Sequence, residues 1–180
     1  MKRRLPVILV AAVALGAAAV AGGIEYTQVR ADLAAQRDAI RAQWGEVDQA
    51  IEHRANEAPQ WLRVSAPGAP ETASLVDQLE AGREALASAA SPGDKVRVNQ
   101  RIAGVLSKFQ TIASSNPRLR SHDVLARLSD AENRIAVERR RYNDMLEHYN
   151  AQIQRFPDNI VATLAGFSRD NAYFPTEPKP

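Results

Sequence analysis

The stretch 124–156, VLARLSDAENRIAVERRRYNDMLEHYNAQIQRF, decides the fold. Leu128, Ile135, Tyr142, Tyr149 and Phe156 recur every seven residues, and Leu125, Leu146 and Ile153 fill a second position of the same repeat. Two apolar positions per heptad draw one continuous stripe along an α-helix. Glu132 and Arg139 fall in that second seam. A polar residue there costs stability and more often sets register than assists packing. The repeat predicts a helix over about 124–155, about 48 Å long at 1.5 Å per residue, stopped by Phe156-Pro157.

Working outward, a second long stripe runs through Leu33, Ile40, Trp44, Val47 and Ile51. It predicts a helix over about 25–54, about 45 Å long, broken by Pro59 and by Ala66-Pro67-Gly68-Ala69-Pro70. Between the two long helices the pattern predicts two shorter ones. One covers about 72–89, with Leu75, Leu79 and Leu86 inward. The other opens at Ser91-Pro92-Gly93-Asp94, which supplies an N-cap serine, a proline at the first helical position and an acid three residues after the serine. It carries Val98, Ile102, Val105, Phe109 and Ile112 inward and ends at Ser114-Ser115-Asn116-Pro117. Beyond Pro157, Asp158 or Asn159 is expected to cap a short helix bearing Ile160, Val161, Leu164 and Phe167. No period-two pattern occurs. The expected fold is all-α: an N-terminal transmembrane helix continuing into an up-down-up-down antiparallel bundle with long first and last helices.

Residues 5–24 carry no charge and, as a helix, would span roughly 30 Å, the thickness of a bilayer's hydrocarbon core. Lys2, Arg3 and Arg4 precede this run and Glu25 follows it, so the positive-inside rule puts the bundle outside the cytoplasm. The rival reading is a cleaved signal peptide, for which the small residues Ala17-Ala18-Ala19-Val20-Ala21 speak, leaving a soluble periplasmic bundle. The expected organisation is a cytoplasmic basic stub at 1–4, a transmembrane anchor at 5–24, a bundle at 25–174 and a disordered tail at 175–180, where three of six residues are proline.

The chain of 180 residues has 23 basic and 21 acidic residues and no cysteine. With Lys2, Arg3 and Arg4 set aside, 20 basic face 21 acidic, too even a balance for the basic surface a nucleic-acid partner requires. Absent cysteine removes disulfides, thiolate metal sites and thiol nucleophiles. The histidines are His53, His122 and His148, and none has a glutamate three residues before it, so the di-metal bundle motif is missing. Asp144 and His148 share a helix face at i,i+4 spacing, which is commonly a solvated pair. No phosphate loop or nucleophile elbow occurs. The reading is of a non-enzyme with no catalytic, cofactor or metal residues. An enzyme or small-ligand binder is the alternative, and it would use Glu132, Arg134, Arg139, Tyr142 and Asn143.

The string Glu132-Asn133-Arg134-Ile135-Ala136, then Arg139, Tyr142-Asn143, Tyr149-Asn150, Phe156-Pro157-Asp158-Asn159-Ile160-Val161-Ala162, Gly166-Phe167 and Tyr173-Phe174 resembles the LemA family in order and spacing. Trp44 with Val47-Asp48, and Asn116-Pro117-Arg118-Leu119, extend the similarity upstream. Between them the family's usual R-x-D-L-I-P-N-L-V stretch corresponds to residues 54–62, where the proline survives as Pro59 and the flanking aliphatics do not. The resemblance implies a membrane-anchored helical bundle without established enzymatic activity. The implied setting is the bacterial inner membrane, single-pass, with the bundle extracytoplasmic. The implied partners are the lipid bilayer and a membrane protein, of TPM-domain type among others, or a second copy of the chain. Among the motif residues, hydrogen bonds from Asn133, Arg134 and Asn143 are expected to fix helix register.

Overall fold

The computed structural model describes residues 4–65, 69–116, 122–172 and 174; before residue 22, side chains are described only at Gly16 and Val20. Among the described residues there are five helices and no strand: α1 (Arg4–Ser65), α2 (Pro70–Ala87), α3 (Pro92–Ser115), α4 (His122–Gln152) and α5 (Asp158–Ala165). Among these residues no helix is long and apolar enough to cross a membrane. Most side chains of the uncharged run 5–24 lie outside them, as do the tail 175–180 and Tyr173. The chain divides into two compact units. One joins the residues up to Ile40 with Met145–Asp170, and the other joins Arg41–Asp144 with the residues from Asn171 onward.

In the larger unit, α1 contributes Val47, Ile51, Ala55, Ala58 and Leu62 to the core, at steps of four, four, three and four. Leu75, Leu79 and Leu86 of α2, Val98, Ile102, Leu106 and Phe109 of α3, and Leu128, Ile135 and Tyr142 of α4 meet them, all buried as the periodicity requires. Ile112 is only half-buried, and Ala113 takes the inward position at the end of α3. Polar pairs give the directions of the helices. Gln43 bonds Glu138 and Arg54 bonds Glu132, so α1 and α4 run antiparallel here. Asp48 bonds Lys95 and Arg54 bonds Asn99, so α1 and α3 run parallel. In the smaller unit, Leu33 and Ile40 of α1, Leu146 and Tyr149 of α4, Ile153, and Val161 and Ala162 of α5 form the buried set.

Ser91 caps α3 as its sequence requires: its hydroxyl accepts from the Asp94 N–H at 3.1 Å and donates to the Asp94 carboxylate at 2.6 Å. Pro59, expected to break the first helix, instead lies buried inside α1. An interior proline costs about 3 kcal/mol, and burying Leu62 alone, at 0% exposure, returns about 1.5–3 kcal/mol. The core stripe therefore carries the helix one more turn past the proline. The far end of α4 differs in the opposite sense. The heptad predicts Phe156 in the core, but α4 stops at Gln152 and Phe156 is 75% exposed. Proline disfavours helical backbone at the residue before it. The chain tightens into three-residue turns, with Gln154 N–H on the Ala151 carbonyl and Arg155 N–H on the Gln152 carbonyl at 2.9 Å. The Phe156–Pro157 peptide is cis. Neither Asp158 nor Asn159 caps α5. Pro157 holds the cap position, and Asp158 lies in the first turn, where a negative charge suits the helix dipole.

Three glycines in helix interiors test the packing. A Cβ on Gly82 would lie 2.8 Å from Cγ1 of the buried Ile102, whereas Gly45 and Gly104 have open space. Alanine gains up to about 1 kcal/mol of helix propensity over glycine, and overpacking a core costs about 1–3 kcal/mol. Thermal unfolding should show Gly45→Ala and Gly104→Ala raising the melting temperature and Gly82→Ala lowering it.

Candidate functional site

The motif residues of α4 resolve into three arrangements. The first surrounds Arg54, which is 1% exposed. Its guanidinium donates to the Glu132 carboxylate and, through the other terminal nitrogen, to Asn99 Oδ1 at 2.5 Å and the Asn99 backbone carbonyl at 3.2 Å. The Nε of Arg54 has no partner among the described residues. Burial pulls the guanidinium below its ordinary pKa, and the attraction of Glu132 opposes that pull. Glu132 itself is 40% exposed, so the charge on one side of the pair still meets water. Nearby, Lys95 bridges Asp48 at 2.5 Å and Glu52 at 3.1 Å. Desolvation lowers its pKa, but its hydrogen bonds to the two carboxylates outweigh that, and the net shift is upward.

The second arrangement, also in the larger unit, is an aromatic cluster closed by Phe174. Trp44 stacks on Phe174 at 5.4 Å between ring centres, and Tyr142 meets both rings edge-on at 5.6 Å. The Arg139 guanidinium lies over the Phe174 ring at 5.2 Å, a cation–π contact. Asn143 holds the same residue by its backbone. Its Nδ2 donates to the Phe174 carbonyl at 3.1 Å, and the Phe174 N–H donates to its Oδ1 at 3.0 Å. One primary amide thus satisfies both polar groups of one residue, as a neighbouring strand would.

The third arrangement repeats this device in the smaller unit. Asn150 Nδ2 donates to the Asp170 carbonyl at 2.6 Å and the Asp170 N–H donates to Asn150 Oδ1 at 3.0 Å. The Tyr149 hydroxyl donates to the Ser168 carbonyl at 3.2 Å. Burial raises the Tyr149 phenol above its ordinary pKa. Gly166 ends α5 at φ 76°, a left-handed conformation that favours glycine, and the Phe167 N–H closes the turn on the Ala162 carbonyl at 2.8 Å. The Arg37 guanidinium covers the Phe167 ring at 5.5 Å. Asn159 is half-buried, its Oδ1 without a partner among the described residues.

The motif residues therefore do not converge on one open site. Glu132 faces Arg54, Arg139 and Tyr142 face Phe174, and Asn143 holds backbone. Asn133 and Arg134, expected to fix register with Asn143, have exposed side chains that make no hydrogen bond among the described residues. They follow Glu132 directly, and successive helical residues turn by about 100°, so the contiguous string spreads over several faces. Asp144 and His148 are exposed, and no group of three metal-ligating side chains occurs among the described residues. Neither Arg54 nor Asn99 was expected as a partner of Glu132. The signal was present: Leu33, Ile40, Val47 and Arg54 recur by sevens, which puts a cation in one seam opposite an anion, Glu132, in another.

Three outcomes follow from this geometry. Asn143→Ala and Asn150→Ala each leave a backbone pair without its partner, at about 1–3 kcal/mol. Unfolding in urea should register the loss, and amide exchange should quicken at Phe174 in the first variant and at Asp170 in the second. Removing one member of a buried ion pair costs about 3–5 kcal/mol when a buried charge stays behind. Glu132→Leu should therefore be strongly destabilising, and adding Arg54→Met to it should restore part of the loss; a double variant less stable than Glu132→Leu would contradict this reading. The raised pKa of Tyr149 gives a contribution to stability fully present below the free phenol's pKa of about 10. That contribution should fade as pH rises through the higher folded value. Ultraviolet titration should show a late phenolate component that Tyr149→Phe removes.

Compared with known proteins, the chain matches no curated protein. A model of the LemA family matches residues 43–179, well over half of its length, beginning at Gln43 and taking in all three arrangements except the residues before it. With the Trp44, Tyr142-Asn143, Tyr149-Asn150, Gly166-Phe167 and Phe174 contacts falling inside that match, the chain belongs to the LemA family.

Proposed function

We propose that the protein is a membrane-anchored, non-enzymatic interaction module of the bacterial envelope, its bundle held outside the cytoplasm. The observation that carries this reading is the continuity of α1 from Arg4 to Ser65. The uncharged run 5–24 and the first core positions, Leu33 and Ile40, share one helix, so a bilayer holding the first would hold the smaller unit through α1 itself. Lys2, Arg3 and Arg4 before the run and Glu25 after it supply the charge asymmetry that orients single-pass segments. The polar groups of the family motif support the non-enzymatic reading, because Glu132, Asn143 and Asn150 are engaged with the protein's own side chains and backbone. A catalytic site needs such groups turned toward an open pocket. The partner on this reading is another membrane protein, the TPM-domain type included, or a second copy of the chain.

Fusing to Pro180 a reporter active only outside the cytoplasm should give signal, and the fusion should stay with membranes after alkaline extraction. A signal that leaves with the soluble fraction, together with an N-terminus beginning after residue 21, would replace the anchor with a cleaved leader. A reporter active only inside the cytoplasm would reverse the orientation.

A further inference from the structure

The short helix α5 has two apolar faces, and only one is used inside the protein. Val161 and Ala162 are buried, at 7% and 3% exposure. Ile160 and Leu164, one turn apart, are 50% and 71% exposed, and Phe156 just before the helix is 75% exposed. These are three of the seven large hydrophobic side chains exposed among the described residues. Two others, Val20 and Ile24, lie at the end of the uncharged run on α1. The smaller unit brings these elements to the same part of α1. Ala165 and Phe167 line one cleft with Thr27, Ala31 and Arg37. Gln152, four residues before Phe156, bonds Asp32 at 3.0 Å and Gln36 at 2.5 Å. Thr27 is three residues beyond Ile24, about 4.5 Å along the helix axis. The C-terminal end of α5 therefore stands beside the turns of α1 that begin at Thr27, just after the uncharged run, and Ile160 and Leu164 belong to the same short helix.

We infer that Phe156, Ile160 and Leu164 form a lipid-contacting face that rests in the headgroup region of the bilayer holding residues 5–24. The inference rests on the anchoring reading and adds a second, peripheral contact to it. An apolar helix face next to a membrane-entry point is covered by lipid at the interface, as amphipathic interfacial helices are. Over residues 155–170 the charges are Arg155 and Arg169 against Asp158 and Asp170, a balance of zero. Attraction to anionic lipid has no net charge to act on, so the contact is apolar and insensitive to salt.

The absence of cysteine makes the test direct. In the full chain, Ile160→Cys, Leu164→Cys and, separately, Ala14→Cys are labelled with an environment-sensitive fluorophore. Each is reconstituted in phosphatidylcholine vesicles with and without brominated acyl chains. Labels at 160 and 164 should lose emission in brominated vesicles, equally at low and high salt, while the circular dichroism stays that of the unsubstituted chain. If the label at 14 is quenched and those at 160 and 164 are not, the α5 contact is wrong and the anchor stands. If the label at 14 is not quenched either, the anchoring reading fails and takes this inference with it. Excimer emission between pyrenes at 164, without bromine quenching, would assign the face to a second copy of the chain and overturn the lipid contact. Ile160→Asp with Leu164→Asp, in a chain labelled at Phe156→Cys, should abolish the quenching without unfolding the protein.

Discussion

A guanidinium taken out of water has to be met on nearly every side, and in the larger unit Arg54 is that group. Three helices supply what it needs: α1 carries it, α3 presents a side-chain oxygen and a backbone carbonyl through Asn99, and α4 presents a carboxylate through Glu132. Leucine packing by itself tolerates sliding, because an apolar stripe shifted by one turn still buries apolar surface. A buried cation does not tolerate it, since a shift of one turn leaves the charge without its carboxylate at a cost of several kcal/mol. The apolar heptads provide most of the driving force, and Arg54 selects which of several similar alignments of α1, α3 and α4 is occupied.

The two asparagine pairs impose a second constraint of a different kind. Helices satisfy their own backbone, but residues 167–172 and 174 lie outside the helices, have no ladder of their own and must find partners elsewhere. Asn143 and Asn150 provide them, each meeting both polar groups of one residue. Aspartate at either place would lack the donor, and glutamine would set its amide one bond farther from the helix. The tyrosine before each asparagine faces inward: Tyr142 packs among aromatic rings and Tyr149 bonds the Ser168 carbonyl. The repeated Tyr-Asn pair is thus a unit in which one residue packs and the next ties down the segment after α5.

How much of this could be read from the residues alone follows from the range of each interaction. Core positions were legible because burial on a helix has a period, and Leu33, Val47, Leu79, Ile102, Leu128 and Ile135 all obey it. The periodic reading failed where a local covalent rule overrides it. Pro157 ends α4 before the fifth heptad position and turns Phe156 outward. It also failed at Pro59, where a local rule gave way to the core stripe continuing through Leu62. The asparagine pairs carry no periodic signal, since a side chain meeting backbone 20 or 31 residues away leaves no mark on the spacing of residue types. Only the family string pointed to them, and it pointed equally to Asn133 and Arg134, which lie on an exposed face.

The asparagine pairs grip peptide groups and ignore side chains, and this has a consequence for how the segment can diverge. At position 170 the pairing needs an N–H and a carbonyl, which every amino acid but proline supplies. A change of side chain at position 170 to anything but proline keeps the N–H and the carbonyl that Asn150 meets, whereas inserting or deleting one residue between Gly166 and Asp170 presents a different peptide to Asn150. For this attachment the length of the segment counts, and the Asn150 pair itself asks nothing of the side chain at position 170 beyond excluding proline.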